Sequence, residues 1–272
     1  RLRCDWSSDV CSSDLGTRQR WDLRTAPRGP GPGRTAVIDY GLLSSIILAV
    51  GLPTLLARQW RITGPDGPVG FMDIAVGPAF AGLAAGRLTT LALDDPQSIG
   101  SLSDLLIIRS GVEFWPAVLV AVAVLAVGAR RAGVRPLGRV AEVTPLSMVG
   151  YAAYEAACLF RDGCYGPESA VGLRAPGLST TMLPVGVLMG IAVVVGAVVV
   201  HRMQGSPAGS MSVMLCGALV VAVVRSVGSF WLPHIGTGLT RQHVSSIFVA
   251  AALIVGLAVC VGRSGQEPDS TS

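Results

Sequence analysis

The amino-acid sequence predicts an all-α fold, a polytopic membrane bundle of about seven transmembrane helices. Apolar residues make up 51% of the 272-residue chain and charged residues only 14%, a balance outside that of an ordinary soluble domain. The apolar residues also occur in runs of about 20 residues, the length at which a helix crosses the roughly 30 Å hydrocarbon layer. We therefore predict one transmembrane domain, which covers residues 35–263.

The apolar runs define the individual spans. Clusters of Gly, Pro and Asp, such as GPDG at 64–67 and DDP at 94–96, separate the runs and are typical of turns. The second and fourth spans contain charged residues, so their boundaries are the least sharply defined. The predicted spans cover residues 36–57, 69–93, 112–130, 140–160, 179–200, 210–232 and 243–262.

Both ends of the chain are predicted to be disordered tails, 1–34 and 264–272. The first fifteen residues, RLRCDWSSDVCSSDL, have no membrane periodicity and resemble a translated sequencing adapter, so they are excluded from the fold. Residues 16–34 are rich in Gly, Pro and Arg, a composition that buries too little apolar surface to become ordered. No signal peptide is predicted, because the first apolar run has the length of a full span.

Arginine positions predict the orientation of the helices. Loops that stay in the cytoplasm carry an excess of positive charge. Because an arginine cluster follows the third span, that connection is predicted to be cytoplasmic, with the N-terminus outside and the C-terminus in the cytoplasm. The arginines in 18–34 favour the opposite orientation but lie next to the adapter-like segment. The cluster consists of Arg130, Arg131, Arg135 and Arg139.

The composition indicates no nucleic-acid partner, no metal and no cofactor. The net charge of +4 comes from arginines between apolar runs, with no basic face. The six cysteines show no CxxC spacing and form no disulfide framework typical of small secreted domains. His201, His234 and His243 are interpreted as interfacial histidines, with His234 as a reserve base.

Charged residues inside the predicted spans require an explanation, because a charge in hydrocarbon costs a few kcal/mol. Asp39, Asp73 and Glu142 lie near span ends, where they reach the interface. Arg87, Glu155 and Arg225 lie deeper. For these three residues, a functional role and a buried ion pair are both open.

Residues 154–166, YEAACLFRDGCYG, resemble the signature of prolipoprotein diacylglyceryl transferases, one form of which is GRxGCFxxGCCYG. Cys158, Cys164, Tyr165 and Gly166 are in register with that form. Further segments resemble the family in order over residues 38–262. They are DYGL at 39–42, the second span from Asp73 to Arg87 and Leu88, SGVEF at 110–114, Arg225, and GLTRQ at 238–242.

The resemblance implies a reaction in the bacterial cytoplasmic membrane. A diacylglyceryl group would move from phosphatidylglycerol, or another anionic phospholipid, to the lipobox cysteine of a prolipoprotein, whose signal peptide would be the second partner. By the resemblance, Arg225 holds phosphate, Tyr40 lines the site and donates a hydrogen bond, and Gly111 and Gly166 contact the lipid. Arg87 is a candidate second phosphate donor because of its position inside the membrane.

Several polar residues of the family are replaced, which leaves two readings open. Trp115 stands at the position of a histidine, Glu155 at that of the signature arginine and Ser229 at that of a glutamate. In the first reading, the chain is a transferase with Glu155 as the base for the thiol. In the second, Glu155 and Arg225 neutralise each other, and an inactive relative binds lipid or a membrane partner. A transporter is a weaker alternative, because the chain shows no inverted repeat.

Overall fold

The computed structural model describes residues 40–64, 67–94, 96, 112–161, 165–174, 180–204, 209–232 and 239–264. Most of these residues are helical, as predicted. Two short antiparallel hairpins join helices, one pairing β1 (Ile62–Gly64) with β2 (Gly67–Val69) and one pairing β3 (Glu168–Arg174) with β4 (Thr181–Met182). The α-helices of the described ranges are α1 Tyr40–Leu56, α2 Phe71–Asp94, α3 Phe114–Arg131, α4 Pro136–Ala156, α5 Val185–Met203, α6 Gly209–Gly228 and α7 Arg241–Ser264.

The largest boundary differences occur at the fourth and fifth predicted spans. Helix α4 begins at Pro136 rather than at residue 140, because proline suits the first turn of a helix. It ends at Ala156, and Ala157–Arg161 form a 3₁₀ turn. Helix α5 begins at Val185 rather than at 179, because Pro184 caps it and the preceding residues pair as β4. Helix α7 extends to Ser264, one residue into the predicted tail.

Five helices, α2, α3, α5, α6 and α7, are long and apolar enough to cross a membrane. Helix α1 is apolar but shorter. Large apolar side chains also cover the outside of these helices, where a soluble protein would place polar residues. The fold is therefore compatible with a polytopic membrane helix bundle. Examples of these exposed side chains are Phe80, Leu119, Ile191, Val223 and Phe248.

Helix α4 occupies the centre of the bundle, where it packs against α1, α3, α5 and α6, while α2 packs on α3 and α6 on α7. Small residues allow the close approach of these helices. A Cβ atom on Gly190 would lie 2.8 Å from the backbone oxygen of Ala152. The main core consists of residues from α3 to α6 that include Met148, Val149, Val193, Ala197 and Ala222.

Candidate functional site

Charged side chains meet at one end of the bundle, where α2, α4 and α6 end and α3 and α7 begin. We call this region the polar end and define it by Asp94, Glu113, Glu155, Arg225 and Arg241. These five residues belong to the ends of five different elements. Ion pairs of 2.7 to 3.4 Å join them in two groups, Arg225 with Glu155, and Arg241 with Asp94 and Glu113. The polar end is therefore formed by the tertiary structure and not by one segment.

Arg225 forms the ion pair that was one of the two readings of the sequence. Its Nη1 atom donates to the hydroxyl oxygen of Tyr151 at 2.9 Å and to Oε1 of Glu155 at 3.4 Å. Tyr151 and Glu155 are four residues apart on α4 and therefore lie on the same face. The side chains of Arg225 and Glu155 are only 15% and 13% exposed. The predicted pairing of these two residues is confirmed.

An aromatic ring completes the surroundings of Arg225. The guanidinium carbon lies 4.1 Å from the centre of the Phe114 ring, a cation–π contact that connects α6 to the start of α3. Buried Nε has no hydrogen-bond partner among the residues that the structure describes. A buried donor without a partner costs about 1–3 kcal/mol. A ligand oxygen that accepts a hydrogen bond from this nitrogen would therefore bind more favourably than at a donor that already has a partner.

Arg241 joins three elements at the rim of the polar end. Its Nη1 and Nη2 atoms donate to the two carboxylate oxygens of Asp94 at 2.8 and 3.0 Å, and its Nε lies 2.7 Å from Oε1 of Glu113. Arginine and carboxylate groups favour this bidentate geometry, in which two parallel N–H···O hydrogen bonds join them. The Arg241 side chain is 49% exposed, so water and salt weaken these pairs.

We expect Arg241→Gln to lower the free energy of unfolding by only about 0.2–1 kcal/mol, because exposed ion pairs are screened by solvent. The loss should be measurable by thermal unfolding in detergent at low salt and should shrink at about 1 M NaCl. Arg130→Gln is the matched control, since the exposed Arg130 forms no ion pair in the described part of the chain. A loss that is independent of salt would contradict this account.

A buried histidine lies at the start of α7, next to the end of α6. His243 is 2% exposed, its Nδ1 atom contacts the hydroxyl of Ser229, and its ring packs against Phe230 with centroids 4.0 Å apart. The interfacial position expected for His243 stays a prediction, but its side chain is buried within the protein. The sequence pattern contained a sign of this, because Ser246 lies one turn beyond His243 and therefore on the same face of α7.

Trp115 and Ser229, which differ from the residues of the transferase pattern, both contact polar side chains of α7. Trp115 donates from Nε1 to the hydroxyl of Ser246 at 3.2 Å, and Ser229 contacts His243. Both Trp115 and Ser246 are buried. Since a buried polar group is stable only with a partner, these two bonds orient α7 against α3 and α6.

The structure places the other predicted site residues apart from this cluster or on its margin. Tyr40 is the first residue of α1 and is 76% exposed. Arg87 is buried in α2, and Gly111 lies outside the described residues. Of the predicted residues, the structure brings together Glu155 and Arg225.

Gly166 is buried, and the absence of a side chain allows neighbouring residues of the protein to pack closely against it. Its N–H donates to the oxygen of Leu183 at 2.7 Å, and a Cβ atom would lie 2.5 Å from Val185. Nearby, Cys158 is buried and forms a disulfide bond, which the count of cysteines did not predict. The lipid contact of Gly166 stays a prediction.

Comparison with known proteins identifies no family for this chain. It matches no protein-family model, and no curated protein shows significant similarity to it. Within the described ranges, no three His, Cys, Asp or Glu side chains lie close enough to hold a metal ion. The resemblance to diacylglyceryl transferases therefore rests on the motifs of the sequence.

Proposed function

We propose that this chain is a membrane-embedded transferase of the prolipoprotein diacylglyceryl transferase type. It crosses the bacterial cytoplasmic membrane seven times, with the N-terminus outside and the polar end at the outer surface. Phosphatidylglycerol is the donor and the lipobox cysteine of a prolipoprotein the acceptor. The observation that carries the proposal is the buried Arg225, which faces Tyr151, Glu155 and Phe114 and retains one donor without a partner in the described part of the chain.

The chemistry of this transfer suits a buried guanidinium. The acceptor sulfur attacks a glycerol carbon, the bond between that carbon and the phosphate oxygen breaks, and negative charge grows on the leaving phosphate. A donor that is already oriented stabilises this charge without further reorganisation. Nε of Arg225 is such a donor, because contacts with Tyr151 and Phe114 hold the guanidinium plane in position.

A second candidate is a relative that binds lipid without turning it over. The observation that favours it is the ion pair, because Glu155 already compensates the positive charge of Arg225. An anionic headgroup would then have to compete with a carboxylate 3.4 Å from the guanidinium. The Glu155 carboxylate would repel a neutral headgroup, or one with a weaker negative charge, less strongly.

The experiment that separates the two candidates measures transfer directly. Purified protein in detergent receives phosphatidylglycerol labelled in its diacylglyceryl part and a lipobox peptide. Wild-type protein should label the peptide, and Arg225→Lys should lower kcat by about 10²-fold, because lysine keeps the charge beside Glu155 but lacks the planar fork. Arg130→Gln, at the other end of α3, is the control and should keep full activity.

Each outcome either supports one of the two candidate functions or shows that Arg225 has no role in the reaction. Folded wild-type protein that binds phosphatidylglycerol saturably but labels no peptide is a binding protein. Wild-type activity that Arg225→Lys retains in full would show that this arginine does not serve the reaction. Thermal unfolding of each variant, measured in the same detergent, provides the test that the protein is folded.

A further inference from the structure

A second buried polar atom without a partner among the described residues lies at the start of α7, next to the end of α6. Nε2 of His243 has no hydrogen-bond partner among the described residues, although the imidazole is 2% exposed. Ser229, which contacts the other ring nitrogen, follows Arg225 by one turn and donates its N–H to the oxygen of Arg225 at 3.0 Å. Nε of Arg225 and Nε2 of His243 thus both lack a partner among the described residues, and Ser229 contacts both residues from between them in the chain.

The hydrogen bonds of Ser229 favour one tautomer of the imidazole. The Ser229 hydroxyl donates to the backbone oxygen of Ser226 at 2.9 Å. With its single proton directed there, the same oxygen accepts from His243 in the tautomer that carries the hydrogen on Nδ1. The lone pair of the neutral ring is then on Nε2, which makes this atom an acceptor without a donor.

The position of α7 makes this arrangement stable. One turn beyond His243, Ser246 accepts the hydrogen bond of Trp115, so the rotation of α7 is set by two polar contacts and not by apolar packing alone. Phe230 packs against the imidazole and is itself 59% exposed. The imidazole thus lies directly beneath a side chain at the surface of the bundle.

Glu155 is poorly suited to remove a proton in this site. Its carboxylate is committed to Arg225, and protonation would break an ion pair whose two side chains are mostly buried. Nε2 of His243 has no such commitment. A neutral imidazole nitrogen with a free lone pair can take up a proton directly, as a general base must.

We propose that Nε2 of His243 is the proton acceptor for the incoming thiol and that Ser229 is the positioning residue for the imidazole, an inference that rests on the proposed function. The proton of the thiol moves to Nε2 as the carbon–sulfur bond forms. The bond between glycerol carbon and phosphate oxygen breaks, and its electron pair leaves with the phosphate. The proton then passes from the imidazolium to the leaving phosphate or to water, so no oxidant or reductant is required.

The test compares two acceptors that differ in acidity. A lipobox peptide with cysteine needs a base, whereas the same peptide with selenocysteine, kept reduced, ionises at lower pH and needs none. We expect His243→Gln to lower kcat/KM by about 10²- to 10⁴-fold with the cysteine peptide. The loss should be at least about tenfold smaller with the selenocysteine peptide, because that acceptor reaches the site already ionised.

Two further variants serve as controls. His201→Gln alters a histidine that stacks on Trp60 at the opposite end of α5, with ring centroids 4.1 Å apart, and should leave both rates unchanged. Ser229→Ala removes only the hydroxyl that orients the imidazole. It should show a smaller loss with the same dependence on the acceptor, and it takes the place of His243→Gln if that variant does not fold.

The outcomes distinguish this inference from the proposed function. Absence of transfer by folded wild-type protein overturns both. Transfer that His243→Gln leaves unchanged overturns the role of His243 and leaves the transferase standing. An equal loss with the cysteine and selenocysteine peptides also overturns that role, because a purely structural defect does not depend on the acidity of the acceptor.

Discussion

Arg225→Ala is expected to lower the free energy of unfolding by about 3–5 kcal/mol, the largest effect on stability of any single substitution considered. The change leaves the carboxylate of Glu155, 13% exposed, without its partner. It also removes the donor to the Tyr151 hydroxyl and the cation–π contact with Phe114. The measurement is unfolding in mixed micelles with increasing dodecyl sulfate, followed by circular dichroism.

A double-mutant cycle shows how much of this loss comes from the ion pair. Glu155→Met with Arg225→Met replaces both charges by apolar side chains, and such replacements of buried pairs are often neutral or stabilising. We therefore expect the double variant to be more stable than Arg225→Met alone, with a coupling energy above about 0.5 kcal/mol. If the two changes are simply additive, the pair contributes nothing to stability.

Gly86→Val is expected to be the second most disruptive change, with a loss of about 1–3 kcal/mol or more. A Cβ atom at this position would lie 2.5 Å from Val112, 2.6 Å from the oxygen of Glu113 and 2.9 Å from Ala117. Two of these atoms belong to backbone or to a short side chain, so they cannot move aside cheaply. Helix α2 would have to separate from α3, which would weaken the bond from the Glu113 N–H to the oxygen of Gly86.

The matched control lies on the same helix. Gly77 is an interior residue of α2, and a Cβ atom there would meet nothing within 4 Å. Gly77→Val therefore has the same change in side chain and in helix propensity but no steric conflict. The unfolding assay should place Gly77→Val near the wild type and Gly86→Val well below it. Equal values for the two variants would contradict the close packing of α2 on α3.

Much of the fold could be predicted from the sequence, because the helices are defined by long apolar runs. Each predicted span overlaps one described helix, and five of these helices are long and apolar enough to cross a membrane. The pairing of Glu155 with Arg225 could be proposed for a similar reason, since few charges lie deep inside the runs and each requires a partner. The sequence by itself thus determined the helical class and named both members of the central ion pair.

The tertiary structure decided which side chains join that pair. Phe114 and Tyr151 come from two helices whose outer and core-facing sides both carry apolar residues, so the rotation of each helix about its axis leaves no pattern in the sequence. Helices α4 and α5 also begin at residues other than those predicted. A proline and a strand pairing set these starts, and neither is visible in the apolar runs. The sequence determined where the chain is helical, whereas packing between the helices determined which polar atoms meet, because only packing sets how each helix is rotated toward its neighbours.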